Sequence, residues 1–305
     1  MKHLKFLLVI TAAAFIILQC QPARADQISR YPVYDTKVQR LIIDELKAAE
    51  ESQETISKWL KGEIPQDEAV GELKAYRDRV RQINNSIQEI KVSAEIDSLH
   101  KTVIKFSSRF KKFLEDSVKI VQETDTSSKS DMKNLLTFTD AFSDSFLNLQ
   151  VELNSAVYDF QKKYNFSKET QIIRSYYKWS TAILPYDIKF FSMQKTFSEL
   201  FTRAVVEHAN FDEILKDVKK LSGGMSAMMI SINKYKPPFE LQELHSMWLE
   251  GYKDFGAAIK LFETFLNSPA MENLNKMYDL AQVMTEKSIK LTESMIKFQE
   301  RNFKI

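Results

Sequence analysis

Along most of this chain, apolar residues recur at alternating intervals of three and four. Leu73, Tyr76, Val80, Ile83, Ile87 and Ile90 form one such seam, and Leu99, Val103, Phe106, Phe110 and Leu114 form another. This spacing places a single apolar stripe on a helix of 3.6 residues per turn. No stretch shows the period of two that a half-buried strand requires. Between Gly71 and Pro185 there is neither Gly nor Pro, although the turns that join strands draw on both for their backbone angles. The pattern predicts an all-α chain, an elongated antiparallel helical bundle.

Punctuation gives the expected elements. A first helix capped by Asp35 runs to about residue 61, with Leu41, Ile42, Leu46, Ile56 and Trp59 inward. Gly62 suits its C-terminus and Pro65 the start of the next helix, which carries the first seam to about residue 91. Whether that helix continues through Val92, Ser93 and Ala94 is left open. Helices are expected to Glu123 and, after a polar connection, from about residue 130 to 164. Residues 166–208 are dense in aromatics, among them Tyr176, Tyr177, Trp179, Tyr186, Phe190, Phe191, Phe197 and Phe201. Pro185 is expected to split this stretch into two helices. Gly223-Gly224 is expected to end a helix over 212–221 and to precede a short apolar one from Met225 to Asn233. After Pro237-Pro238, two helices cover about 239–266 and 270–303.

The last hairpin resembles residues 95–164. Leu99-His100 matches Leu244-His245 and Phe110 matches Phe255, while Asn134-Leu135 matches Asn273-Leu274 and Phe160-Gln161 matches Phe298-Gln299. Polar matches such as Gln161/Gln299 are not demanded by amphipathicity, so a duplicated hairpin (95–164 and 240–303) is expected. Two such hairpins packed face to face would make a four-helix core, with the aromatic segment lying across it. The body then divides into an N-terminal hairpin over 35–91, the first repeat, aromatic-rich connecting helices over 166–235, and the second repeat.

The N-terminus has a different character. A basic start is followed by Phe6–Leu18, thirteen residues apolar except for Thr11. That is too short to span a hydrocarbon core as a helix, which takes roughly 20 residues, and it fits the apolar region of a secretory signal. Ala23-Arg24-Ala25 supplies the small-x-small pattern for cleavage before Asp26. Cys20, the only cysteine, gives a second possibility: a lipoprotein signal, with the acylated cysteine as the new N-terminus, although Gln19 is larger than the usual preceding residue. Loss of residues 1–25 removes three of the 43 basic side chains and none of the 41 acidic ones. A body near neutrality has little to drive salt-sensitive phosphate binding, so no nucleic-acid partner is expected, and any membrane attachment would come through the lipid anchor.

Candidate chemistry is sparse. His100 and His245 occupy matching places in the two repeats and could meet as metal ligands. However, Asp97/His100 and Gln242/His245 do not both make the Glu-x-x-His pair of di-iron bundles; capping or partly exposed histidines are the plainer reading. No Gly-x-Ser-x-Gly elbow, phosphate-cradling Gly-rich loop or His-Glu-x-x-His helix occurs. The carboxylates lie among lysines, as on solvated helix faces. Met225, Met228 and Met229 form either a core stripe or an adaptable apolar surface. Asn165-Phe166-Ser167 fits a glycosylation acceptor, with Ser167 as a helix cap. The reading is an exported, non-enzymatic helical protein of the cell envelope or secreted fraction, without cofactor, acting on a protein partner as structural element or adaptor. A small-molecule or lipid-binding module is the alternative, followed by a membrane-perturbing protein and a metal-binding bundle.

Overall fold

The computed structural model describes residues 28–303 except 126, 127, 206 and 208. The expectations at Cys20, Ala23, Ala25 and Asp26 lie outside the described residues. Among the described residues eight α-helices follow one another: α1 (Tyr31–Leu60), α2 (Gln66–Gln88), α3 (Ala94–Glu123), α4 (Lys129–Lys163), α5 (Gln171–Val205), α6 (Phe211–Ile232), α7 (Gln242–Asn267) and α8 (Met271–Phe303). Among the described residues the one strand-like feature is a bridge between Ile28 and Val92. The Ile28 amide donates to the Lys91 carbonyl at 2.8 Å and the Ser93 amide to the Ile28 carbonyl at 2.9 Å. That pairing occupies the stretch between α2 and α3, which is therefore a break. No described helix is long and apolar enough to cross a membrane.

Three local expectations are corrected. Asp35 is not a cap: α1 begins at Tyr31 with Pro32 in its first turn, and Asp35 is fully buried one turn further in. Pro185 does not split the aromatic segment, because α5 runs through it unbroken. An interior proline costs about 3 kcal/mol. Against this, Tyr176, Tyr177, Trp179, Phe190 and Phe191 are all buried on the two sides of it, each worth several kcal/mol at about 25 cal/mol per Å². The proline itself is exposed. Gly223-Gly224 likewise lies inside α6. Each glycine costs roughly 1 kcal/mol in a helix, less than the burial of Met225, Met228 and Ile232 contributes.

The two halves repeat the same order of helices, and through the first three helices of each the offset is constant, the one that separates Leu99 from Leu244. Asp67-Glu68 and Asp212-Glu213 open α2 and α6. Ala69/Ile214, Leu73/Val218, Ile87/Ile232, Leu99/Leu244, Phe110/Phe255 and Leu114/Ile259 are all buried pairs. The correspondence seen in the hairpins thus extends over two four-helix units, α1–α4 and α5–α8. Each unit's first helix packs on the other unit's last, α1 on α8 and α5 on α4, a reciprocal contact of the kind a two-fold axis generates. The two hairpins therefore do not form the expected face-to-face core. α5 is buried around most of its circumference, and it and α1 stand between the hairpins; aromatics of that size cannot lie across the outside.

Because α6 is continuous, alanine should be favourable at both of its glycines. An ideal Cβ on Gly223 meets nothing within 4 Å, and one on Gly224 comes 3.6 Å from the Met193 methyl, an ordinary contact. Gly223→Ala and Gly224→Ala should each raise unfolding stability by roughly 0.5–1 kcal/mol, measured by denaturant titration. Loss of stability in both would mean that the helix breaks there.

Candidate functional site

Four helices meet at one buried polar point. From α1 come Tyr31, Asp35, Thr36 and Gln39; from α4, Gln161; from α5, Tyr176, Tyr177, Ser180 and Thr181; from α8, Gln299. The Tyr177 hydroxyl donates to Asp35 Oδ2 at 2.6 Å, and Gln39 Nε2 donates to Oδ1 at 3.2 Å. Gln161 Nε2 donates to the Tyr31 hydroxyl at 3.1 Å, while its Oε1 accepts from Ser180 and Thr181 at 3.1 and 3.0 Å. The Thr36 hydroxyl reaches Gln299 Oε1 at 3.5 Å. Gln39 and Gln299 both face the Tyr176 hydroxyl without good hydrogen-bond geometry, so Gln39 Oε1, Tyr176 Oη and Gln299 Nε2 stay unpaired.

Asp35 is one of three buried acids. Glu45 in α1 accepts from the Ser107 hydroxyl of α3, and its Oε2 has no partner. Asp187 in α5 accepts from Trp248 Nε1 at 2.8 Å and from the Tyr252 hydroxyl at 2.5 Å, both on α7. Ser107 and Tyr252 are equivalent positions under the offset that relates the two units, so each unit seats a buried acid against the same place on its third helix. Burial raises the carboxyl pKa of Asp35 and Asp187 to about 7 and that of Glu45 to about 8. No residue pattern in a catalytic motif announced these acids. Their signal is a carboxylate on an apolar stripe, as where Asp187 falls between Ile183-Leu184 and Phe190-Phe191.

His100 and His245 are both buried, each against its own unit's first helix. His100 Nδ1 lies 3.2 Å from the Tyr34 hydroxyl, and Trp179 Nε1 donates to His245 Nδ1 at 3.3 Å. Tyr34 and Trp179 are themselves equivalent positions of the two units. Since an indole only donates, His245 carries its proton on Nε2, and burial lowers the pKa of both rings. The two rings do not meet as a pair, and no cluster of three or more His, Cys, Asp or Glu suited to a metal occurs among the described residues. Met225 and Met228 are buried and Met229 is half-buried, which fits the core-stripe reading and leaves no adaptable apolar surface at these residues. Asn165, not Ser167, caps its turn, accepting from the Ser167 amide at 2.9 Å.

Two surface features remain. An open cleft of about 530 Å³ between α4 and α5 is lined by Thr137, Asp144, Ser198, Glu199, Arg203 and Glu207, among others. At the elbow between α6 and α7, Phe239 is 83% exposed, and Ile230 on the last turn of α6 is 62% exposed. The elbow is rigidly held. Pro237 and Pro238 fix its backbone, Leu241 is fully buried, and Tyr235 packs 5.7 Å from the His245 ring. The equivalent positions of the first unit are Ala94 and Asn85.

No protein-family model, curated protein or solved structure matches the chain.

The three acids fix a direction for the pH dependence of stability. Their folded pKa values lie above the unfolded ones of about 4, so folding takes up protons. Their stabilising contribution is complete below about pH 4 and is lost as pH rises through 7 to 8. The denaturation midpoint should therefore fall between pH 5 and pH 8. Asp187→Asn, which keeps an acceptor for Trp248 and Tyr252, should raise stability at pH 8 by about 1–3 kcal/mol and flatten that slope. An unchanged slope would show that Asp187 is ionised at pH 5 in the folded chain.

Proposed function

We propose that this is an exported helical adaptor of the cell envelope or secreted fraction, which works by docking a protein partner on the elbow between α6 and α7. The supporting observation is Phe239: a large aromatic ring displayed to solvent on a backbone stiffened by two prolines and anchored by Leu241. The fold does not require a large apolar group there, since the first unit carries the small Ala94 at the same place. Pre-ordered exposed aromatics make efficient binding anchors, because little conformational freedom is lost when they are covered. Export rests on the N-terminal segment read from the sequence. Intact mass of the exported chain would distinguish a start at Asp26 from an acylated start at Cys20.

A photo-crosslinking residue at position 239 in the full chain, in its native host, should join it to one defined protein species. The same residue at position 94 should not, and Ile230→Asn in the 239 variant should reduce the yield several-fold. Equal crosslinking from positions 94 and 239 would dismiss the elbow as a docking surface. The small-molecule reading gains less support, because the α4–α5 cleft is open to solvent, unlike the enclosed pockets that hold such ligands.

A further inference from the structure

We propose that the junction of α1, α4, α5 and α8 is a proton-operated latch: a proton on Asp35 holds α1 against α8, and its loss lets the two units part along that seam. The geometry carries this in two ways. First, the Asp35 carboxyl is fully buried where four helices meet, and the groups that hydrogen-bond it are neutral: the Tyr177 hydroxyl of α5 and Gln39 Nε2 of its own helix. Gln39 Oε1, the Tyr176 hydroxyl and Gln299 Nε2 lie unpaired around it. With the carboxyl protonated, no charge is buried there; with it ionised, the charge has only neutral donors. An uncompensated buried charge and unpaired polar atoms both disfavour the closed interface.

Second, nothing around Asp35 supplies a compensating cation. From α1 it is faced by Tyr31 and Tyr34, from α5 by Tyr176 and Tyr177, from α4 by Gln161, and from α8, through Tyr176, by Gln299. The phenols are held neutral, since burial raises them well above their ordinary pKa. Arg30 pairs with Glu169 and Arg40 with Glu300, and neither acts on Asp35. Burial sets the Asp35 transition at about 7.

The seam that yields is α1–α8. The α4–α5 contact is tied by the short connection over 164–170 and by Gln161 to Ser180 and Thr181. The α1–α8 contact is held at its polar end by the 3.5 Å Thr36–Gln299 bond and by the partly exposed pairs Arg40–Glu300 and Lys47–Glu293, of a kind that adds little. Further along, Glu50 of α1 and Glu286 of α8 repel.

Amide hydrogen exchange of the full exported chain at pH 6 and pH 8.5, corrected for intrinsic rates, tests this. Exchange in segments 31–43 and 292–303 should rise together by tenfold or more at the higher pH, while α3 stays protected. Asp35→Asn should abolish that rise, and Asp187→Asn, whose partners lie within the second unit, should retain it. Should Asp35→Asn not fold, Tyr177→Phe removes a donor to the ionised carboxylate and should move the midpoint of opening up by at least half a pH unit. The same rise in Asp35→Asn as in wild type, loss of protection spread evenly over all eight helices, or a midpoint unmoved or lowered in Tyr177→Phe would overturn the latch.

Discussion

A helix buried around most of its circumference needs neighbours on every side, and α5 is such a helix. Tyr176, Tyr177, Trp179, Ile183, Leu184, Phe190, Phe191, Phe197 and Phe201 are all buried, and no single partner could cover them. α4 and α6 take two sides, while α7 and α8 close the rest. This one requirement draws the last helix of the first unit onto the first helix of the second, and the reciprocal contact of α1 with α8 follows from the same arrangement. It also explains why Pro185 is tolerated: the contacts on both sides of it outweigh a local cost of about 3 kcal/mol.

The two units share a plan and differ in chemistry at the shared places. Tyr34 and Trp179 hold the matched histidines. Glu45 meets Ser107 where Asp187 meets Tyr252 and Trp248. The elbow carries Ala94 in one unit and Phe239 in the other. Positions that agree across the units are those any such four-helix unit needs for its core. Positions that disagree have been released from that need, and the ones that place a carboxyl inside or an aromatic outside run against ordinary burial preference. Both the adaptor surface and the latch are drawn from that second set.

Helix content and most helix limits were legible because a stripe repeating every 3.6 residues reports which face is covered without naming what covers it. The seam from Leu73 to Ile90 and that from Leu99 to Leu114 became α2, the turn after it, and α3. The breaks at Pro185 and Gly223-Gly224 were misread for one reason. Local propensities of about 1–3 kcal/mol decide only when tertiary burial does not, and in α5 and α6 it does. Asp35 was misread for the converse reason. A carboxylate near a helix start satisfies the pattern of a cap, and only the position of Tyr177, on a helix of the other unit, reveals a different partner. The matched hairpins were visible as sequence, but the correspondence of α1 and α2 with α5 and α6 was masked by exchanges such as Tyr34/Trp179 and Val80/Met225, which conserve burial and not identity.

A chain made of two like units faces an ambiguity that its apolar surfaces cannot resolve. Apolar stripes on α4 and α8 do not by themselves say whether α1 or α5 packs on them, because burial is non-directional. The hydrogen bonds at the junction remove that degeneracy. Tyr177 of α5 needs the carboxyl of Asp35, whereas the equivalent position, Ser180, offers only a hydroxyl and is taken by Gln161 of α4. Exchanging the partners would leave a buried carboxyl and a buried amide without their donors and acceptors, at about 1–3 kcal/mol for each neutral group and more for the charge. On this view a buried acid at the centre of the molecule, unfavourable by itself, is the element that tells the two halves apart. The same acid that specifies the pairing is then the group whose ionisation weakens it.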